Sequence, residues 1–247
     1  MKTKMHKMSM LVASILLGLT GYAQESISGT ISNHNPNEKL IVSYDLISKK
    51  TEQLGTIDAD GHFNIPLDEN YLTTIKEKAE SAKAKAPEGW EMKMNTVAST
   101  FQCLGSETDY KNGETIVAGM PTPEVTNLAG ESVHAMLYAV SNADIANWLY
   151  SYGQKNCAKG YYLQYLFVEE EASAKAECTM PTYTGNDDEN YNNVTILNLE
   201  LQKGWNIIKY DITEVFTDKN GKTAPSKTEI SRIDSIPDDL QWVIVKE

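Results

Sequence analysis

In this 247-residue chain the residues with chemical potential are aromatic rings and carboxylates rather than an identifiable nucleophile or metal-binding imidazole cluster. Trp148, Tyr150, Tyr152, Tyr161, Tyr162 and Tyr165 fall within one short stretch. Flat rings beside acidic side chains are how sugars are commonly stacked and hydrogen-bonded, so Trp148, Tyr150, Tyr152 and Tyr162 are the candidate ligand-binding residues. A structural reading competes, because aromatic residues are good strand formers that fill sandwich cores. Asp187, Asp188 and Glu189, flanked by Asn186 and Asn190, offer the hard oxygen donors that Ca2+ takes and are the candidate metal ligands. Their spacing fits no calcium loop, and Asp58-Ala59-Asp60-Gly61 keeps only the tail of one, so solvated acidic turns are the simpler account.

Other chemistries find no carrier. Nucleophile-elbow, P-loop, zincin and paired-cysteine zinc motifs are absent, and no residue is assigned a catalytic role. His34, His62 and His134 stand far apart without ligand spacing, and each reads as a solvated histidine. Cys157 and Cys178 flank what reads as a single hairpin and are candidates for a disulfide across it, leaving Cys103 odd. The alternative is three buried thiols acting as small hydrophobes.

The first segment bears on compartment. Lys2, Lys4 and Lys7 precede an apolar run from Leu11 to Leu19, followed by Gly21-Tyr22-Ala23, the order of a secretory signal peptide over residues 1–23. The run is far shorter than the ~20 residues that span a bilayer. Its removal after Ala23 takes three lysines and no acid, so a net charge of −12 becomes −15 on the remaining 224 residues. A chain this acidic, with Arg232 as its sole arginine, repels phosphate backbones, which argues against nucleic-acid partners. The expected product is exported, periplasmic or secreted, with residues 24–247 as a single β-rich domain.

The segments around these residues read mostly as strands. Ser26 to Ser32, Leu40 to Ile47, Leu54 to Ile57 and His62 to Leu67 alternate or carry β-formers between turn signals. Leu72, Ile75, Ala79 and Ala82 fall at helical spacing and predict a helix near 70–86 lying on the sheet. Val97 to Cys103, Thr115 to Ala118 and Val133 to Val140 read as strands, and Ser141-Asn142-Ala143-Asp144 opens a short helix near 142–150. Tyr161 to Val168 is apolar on both faces and predicts a central strand, with Ala172 to Met180 returning as its partner past Glu169 to Glu171. Leu197, Leu199 and Leu201 alternate with polar residues before Gly204, and Trp205 to Ile212 follows, which predicts a hairpin of open register.

Two resemblances rest on these residues. Ile27-Ser28-Gly29-Thr30-Ile31 with Gly55-Thr56-Ile57-Asp58-Ala59-Asp60-Gly61-His62-Phe63-Asn64-Ile65 resembles small envelope β-sandwich modules, such as carboxypeptidase-regulatory-like domains, which implies a non-catalytic role. Cys178, Leu199, Leu201, Gly204, Trp205, Asn206, Pro237, Leu240 and Trp242 are similar to a Leu-x-Leu-x-x-Gly-Trp-Asn pattern of uncharacterised bacterial secreted proteins, which implies export and β-architecture.

The expected fold is mainly β, an antiparallel β-sandwich or barrel-like sandwich with one or two short helices. The expected function is a non-catalytic envelope or secreted module that binds a glycan, a peptide or an envelope protein. A polysaccharide hydrolase would need two carboxyl groups ~5 to 10 Å apart across a cleft. A structural subunit would show an unpaired first or last strand.

Overall fold

The computed structural model describes residues 26–45, 48–89, 92–127 and 132–246; the expected signal peptide over residues 1–23 lies outside the described residues. The chain is mainly β. Its first four strands, β1 (Ser26–Thr30), β2 (Leu40–Asp45), β3 (Lys50–Ile57) and β4 (His62–Pro66), pair in the order β1-β4-β3-β2. Strands β1 and β4 alternate as the sequence requires, and Ile27, Ile41, Ile57, Phe63 and Ile65 are buried in a shared core. Helix α1 (Tyr71–Lys83) follows, then α2 (Val97–Thr100), β5 (Asp109–Lys111), β6 (Val117–Gly119), β7 (Glu124–Thr126), β8 (Ser132–Val140) and α3 (Ala143–Tyr150). The second half is built from β9 (Gly160–Val168), β10 (Ala172–Tyr183), β11 (Asn190–Leu201), β12 (Gly204–Thr217), β13 (Thr223–Ile233) and β14 (Gln241–Val245).

One hydrogen-bonded path joins most of them, β1-β4-β3-β2-β7-β8-β9-β12-β13-β11-β10-β5, with β14 on β8 and β6 on β9. The N-terminal part curls on itself. Ile31, just past β1, bridges Trp242 of β14, which brings the two edges of that part together. Inside it Phe63 meets Trp242 edge-on, with ring centroids 4.8 Å apart.

Strand β9 is central, as its two apolar faces require. Tyr161, Leu163 and Tyr165 join the N-terminal core, whereas Leu166 and Val168 join a second core with Leu197, Leu199, Ile208 and Val97. A sheet covered on both faces at β9 is thus shared by two hydrophobic layers.

Four expectations fail. Strands β11 and β12 do not form a hairpin, because β13 lies between them, parallel to β11 and antiparallel to β12. The leucine alternation nevertheless holds, with Leu197, Leu199 and Leu201 buried. What replaces the hairpin bonds is the buried Asn206, whose side chain accepts from the Gln202 N–H at 2.9 Å. Its amide donates to the carbonyls of Gln202 and Gly204 at 2.7 and 2.9 Å. One side chain thereby satisfies backbone groups that a paired strand would otherwise have bonded. Gly204, at φ +89°, supplies the left-handed residue of the same corner.

Strand β10 likewise does not return along β9; it pairs with β11 over its whole length and with β5 at one end. The Cys157–Cys178 disulfide falls with that hairpin. The bond instead joins Cys103 to Cys178, whose Cα atoms are 5.6 Å apart, and Cys157 is a buried free thiol. Finally, the segment expected as a strand from Val97 begins with α2. Its Thr96 side chain accepts from the Ser99 N–H while the Ser99 hydroxyl accepts from the Thr96 N–H. That capping box starts a helical turn, and Val97 and Phe101 enter the core four residues apart.

Candidate ligand-binding groove

Helix α1 carries a thin apolar face, and it is held by what lies on either side. Leu72 and Ile75 pack against Ala118, Phe167 and Trp205. On one flank Lys76 meets Glu169; on the other Lys78 reaches Asp45 and Glu52, each at 2.7 Å. Asp68 sets the start of the helix by accepting from the Asn70 N–H at 2.8 Å. Between α1 and strands β2 and β3 this arrangement leaves a cavity of about 500 Å3, walled by Tyr44, Leu54, Tyr71, Pro121 and Trp205, with the Lys78 ion cluster at its side. That size lies within the range of small-ligand sites.

The rings of this groove are fixed in place. The Trp205 indole N–H donates to the Asp68 carbonyl at 3.0 Å, and the Tyr71 hydroxyl donates to the Gly119 carbonyl at 2.9 Å. Their centroids are 4.7 Å apart, and Phe167 supports Trp205 edge-on at 5.5 Å. Tyr44, by contrast, is half exposed at the mouth. Burial pushes the Tyr71 phenol up to about 12, so it stays a neutral donor at physiological pH. For Lys78, burial pulls the ammonium down, but the hydrogen bonds it donates to Asp45 and Glu52 outweigh it and the net shift is upward. The groove thus joins aromatic walls to a cation paired with two carboxylates.

The residues singled out in the sequence are distributed differently. Tyr152 and Tyr162 line a second, smaller cavity beside Tyr138 and Leu149. Tyr162 is also stacked on Tyr210, with centroids 4.7 Å apart and planes within 5°. Tyr150 packs against the cluster of Val140, Ile145 and Val243, which is the structural reading of that ring. Trp148 is half-buried on α3 and lines neither cavity.

Asp187, Asp188 and Glu189 form the tip between β10 and β11, and the tip is tied to the loop between β12 and β13. Asp187 pairs with Lys219. Glu189 accepts from the Lys219 N–H at 3.0 Å and from the Thr184 hydroxyl at 3.0 Å, while Asn186 donates to Asp218 at 2.8 Å. These bonds staple two turns together. Among the described residues, the group whose potential ligand atoms lie within 4.8 Å of one another is instead Asp58, Asp60 and His62, all exposed. There Asp58 accepts from the backbone N–H groups of Asp60 and His62 and meets the His62 ring at 3.1 Å, an ordinary turn closure. The side chain of His34, expected in solvent, is only 9% exposed: it packs so closely beneath Gly61 that a Cβ there would stand 2.9 Å from its own.

No protein-family model, curated protein or solved structure matches the chain. The site therefore rests on its own geometry. Sequence reading missed Tyr44, Asp45, Glu52, Tyr71, Lys78 and Trp205, because no two of the segments that carry them are alike in pattern. Trp205 was legible only as a core residue beside Gly204, and Lys78 only as part of a charged helix face.

Proposed function

We propose that this protein is a non-catalytic, exported binding module, periplasmic or secreted, that holds a neutral glycan in the groove between α1 and strands β2 and β3. The observation that carries the reading is the groove itself: Tyr44, Tyr71 and Trp205 supply ring faces, and Asp45, Glu52 and Lys78 supply acceptors and donors along one wall. The strongly acidic chain disfavours polyanionic ligands, which selects among glycans for uncharged ones. A Cys103–Cys178 disulfide fits an oxidising compartment. No helix among the described residues is long and apolar enough to cross a membrane.

The hydrolase reading gains nothing from the carboxylate pair in this groove. The Lys78 ammonium sits 2.7 Å from an oxygen of each of Asp45 and Glu52 and fills the gap a scissile bond would need. Among the described residues the first and last strands are paired, β1 with β4 and β14 with β8, and Ile31 bridges Trp242, which favours the binding module over the structural subunit.

A thermal-shift screen against neutral polysaccharides and peptidoglycan fragments, each with calcium and with chelator, tests the reading, because a ligand of the folded state must raise the melting temperature. The expected result is a shift that Tyr44→Ala and Glu52→Gln both diminish. A shift that both variants retain in full would move the site elsewhere, and a flat panel would remove the glycan reading.

A further inference from the structure

The groove has a neighbour across a thin wall. A second cavity, of about 240 Å3, lies on the far side of Met120 and Pro121, which line both hollows. Its other walls include Pro123, Tyr138, Leu149, Gln164 and the exposed Tyr152. Alone, this volume falls below the ~300 Å3 at which sites for whole small ligands begin. As an extension of the α1 groove it has the right scale for part of a longer chain.

Tyr152 is the reason to assign it a role. It follows the C-cap of α3, where its N–H bonds the Leu149 carbonyl and the Gly153 N–H bonds the Trp148 carbonyl, each at 3.0 Å. Its φ is +51°. This is the left-handed position that ends helices, and glycine normally fills it because a Cβ is strained there. A glycine is at hand, since Gly153 is the next residue and is itself left-handed at φ +79°. The tyrosine ring is 87% exposed, so it fills no core. Strained backbone and exposed ring both count against stability, and neither is explained by packing. Such positions persist where the side chain serves a ligand.

Resting on the glycan reading of the α1 groove, we propose that Tyr152 is a second stacking platform and that the ligand is a neutral oligosaccharide. Its chain crosses Pro121 from the Trp205 side to the Tyr152 side. Gln164 and Thr122 offer side-chain donors and acceptors along that path, and the acidic chain excludes uronate or sulfated polymers.

The test is calorimetric titration of two β-1,4-linked series, glucose and N-acetylglucosamine, each from dimer to hexamer. It compares the full protein with its Tyr152→Gly and Tyr44→Ala variants, with melting temperatures recorded alongside. In the wild type, affinity for one series should climb with chain length. Tyr152→Gly should weaken the hexamer on the order of tenfold and leave the dimer unchanged. Its melting temperature should be equal or higher, since glycine relieves the left-handed strain; a merely structural ring would lower it. Equal hexamer binding by Tyr152→Gly, or affinity independent of length, would overturn the second platform while the α1 groove still stands on the loss of dimer binding in Tyr44→Ala. If no chain of either series binds the wild type, the groove reading and its extension fall together.

Discussion

The two aromatic clusters of this protein were assembled in opposite ways. The α3 corner is local: Trp148, Tyr150, Tyr152 and Tyr162 are near neighbours in the chain, yet they do different jobs. Tyr150 packs, Tyr162 stacks on Tyr210, and Tyr152 alone stands largely in solvent. The α1 groove is distributed: Tyr44 and Asp45 come from β2, Glu52 from β3, Tyr71 and Lys78 from α1, and Trp205 from β12. A run of rings reports strand and helix packing, whereas a concave surface with several polar groups requires convergence of segments that share no pattern.

One hydrogen-bonded strand path joins both clusters, and the disulfide is the strongest lever on their cooperativity. Replacing Cys103 and Cys178 with serine removes a link between residues 75 apart, which should cost about 4 kcal/mol by urea denaturation. Fluorescence of the groove tryptophan and exchange of the α3 amides should then report one shared midpoint. Two separated midpoints would break the comparison into two domains.

Trp205→Ala should cost about 3 kcal/mol, since it removes the packing on Tyr71 and Phe167 and leaves the Asp68 carbonyl without its indole donor. Trp148→Ala, on the half-buried face of α3, should cost about 1 kcal/mol. Equal losses in paired denaturation curves would erase the distinction between a built site and a packed corner. A smaller change is expected at the ion cluster. Lys78→Met takes the ammonium away from the Asp45 carboxylate, whose side chain is only 11% exposed, leaves it the Ser48 N–H, and should lower stability by about 1 to 2 kcal/mol while loosening α1 from the groove.

Alkaline pH acts on both clusters alike. Burial pushes Tyr71, from the groove, and Tyr138, from the α3 corner, each from 10.0 up to about 12. A folded pKa raised above the unfolded one means that the native state holds more protons between these values. The stability is fully present below pH 10 and is lost as pH rises toward 12. Melting temperatures measured from pH 9 to 12 should fall through that window, and Tyr138→Phe should flatten the fall. The smallest stability effect belongs to Tyr44→Ala, within about 0.5 kcal/mol because the ring is half exposed; its ligand affinity should nonetheless drop.

Much of the fold was legible because it depends on local period. The alternation in β1 and β4, the 3.6-residue face of α1, the Asn142 cap of α3 and the doubly apolar β9 all appear where the pattern puts them. The short strands β5 and β7 escaped because three residues carry too little period to register. The capping box at Thr96 and Ser99 escaped because a β-branched valine follows it and reads as a strand.

Pairing is where local reading ends. Gly204-Trp205-Asn206 marks a sharp corner in any reading, but a corner does not say which strand lies alongside. The Asn206 amide makes an open arch as satisfactory as a hairpin for the backbone of Gln202, and β13, from later in the chain, then fills the space between. The same holds for the cysteines: their number implied one thiol left over, and only the placement of β10 beside the segment after α2 chose Cys178 and Cys103 as partners. By itself the sequence determined the β-rich class, the acidity and the position of turns, because each is a property of neighbouring residues. Strand order, the disulfide and the α1 groove were decided by tertiary structure alone, because each depends on which distant segments can share a buried face with their backbone groups satisfied.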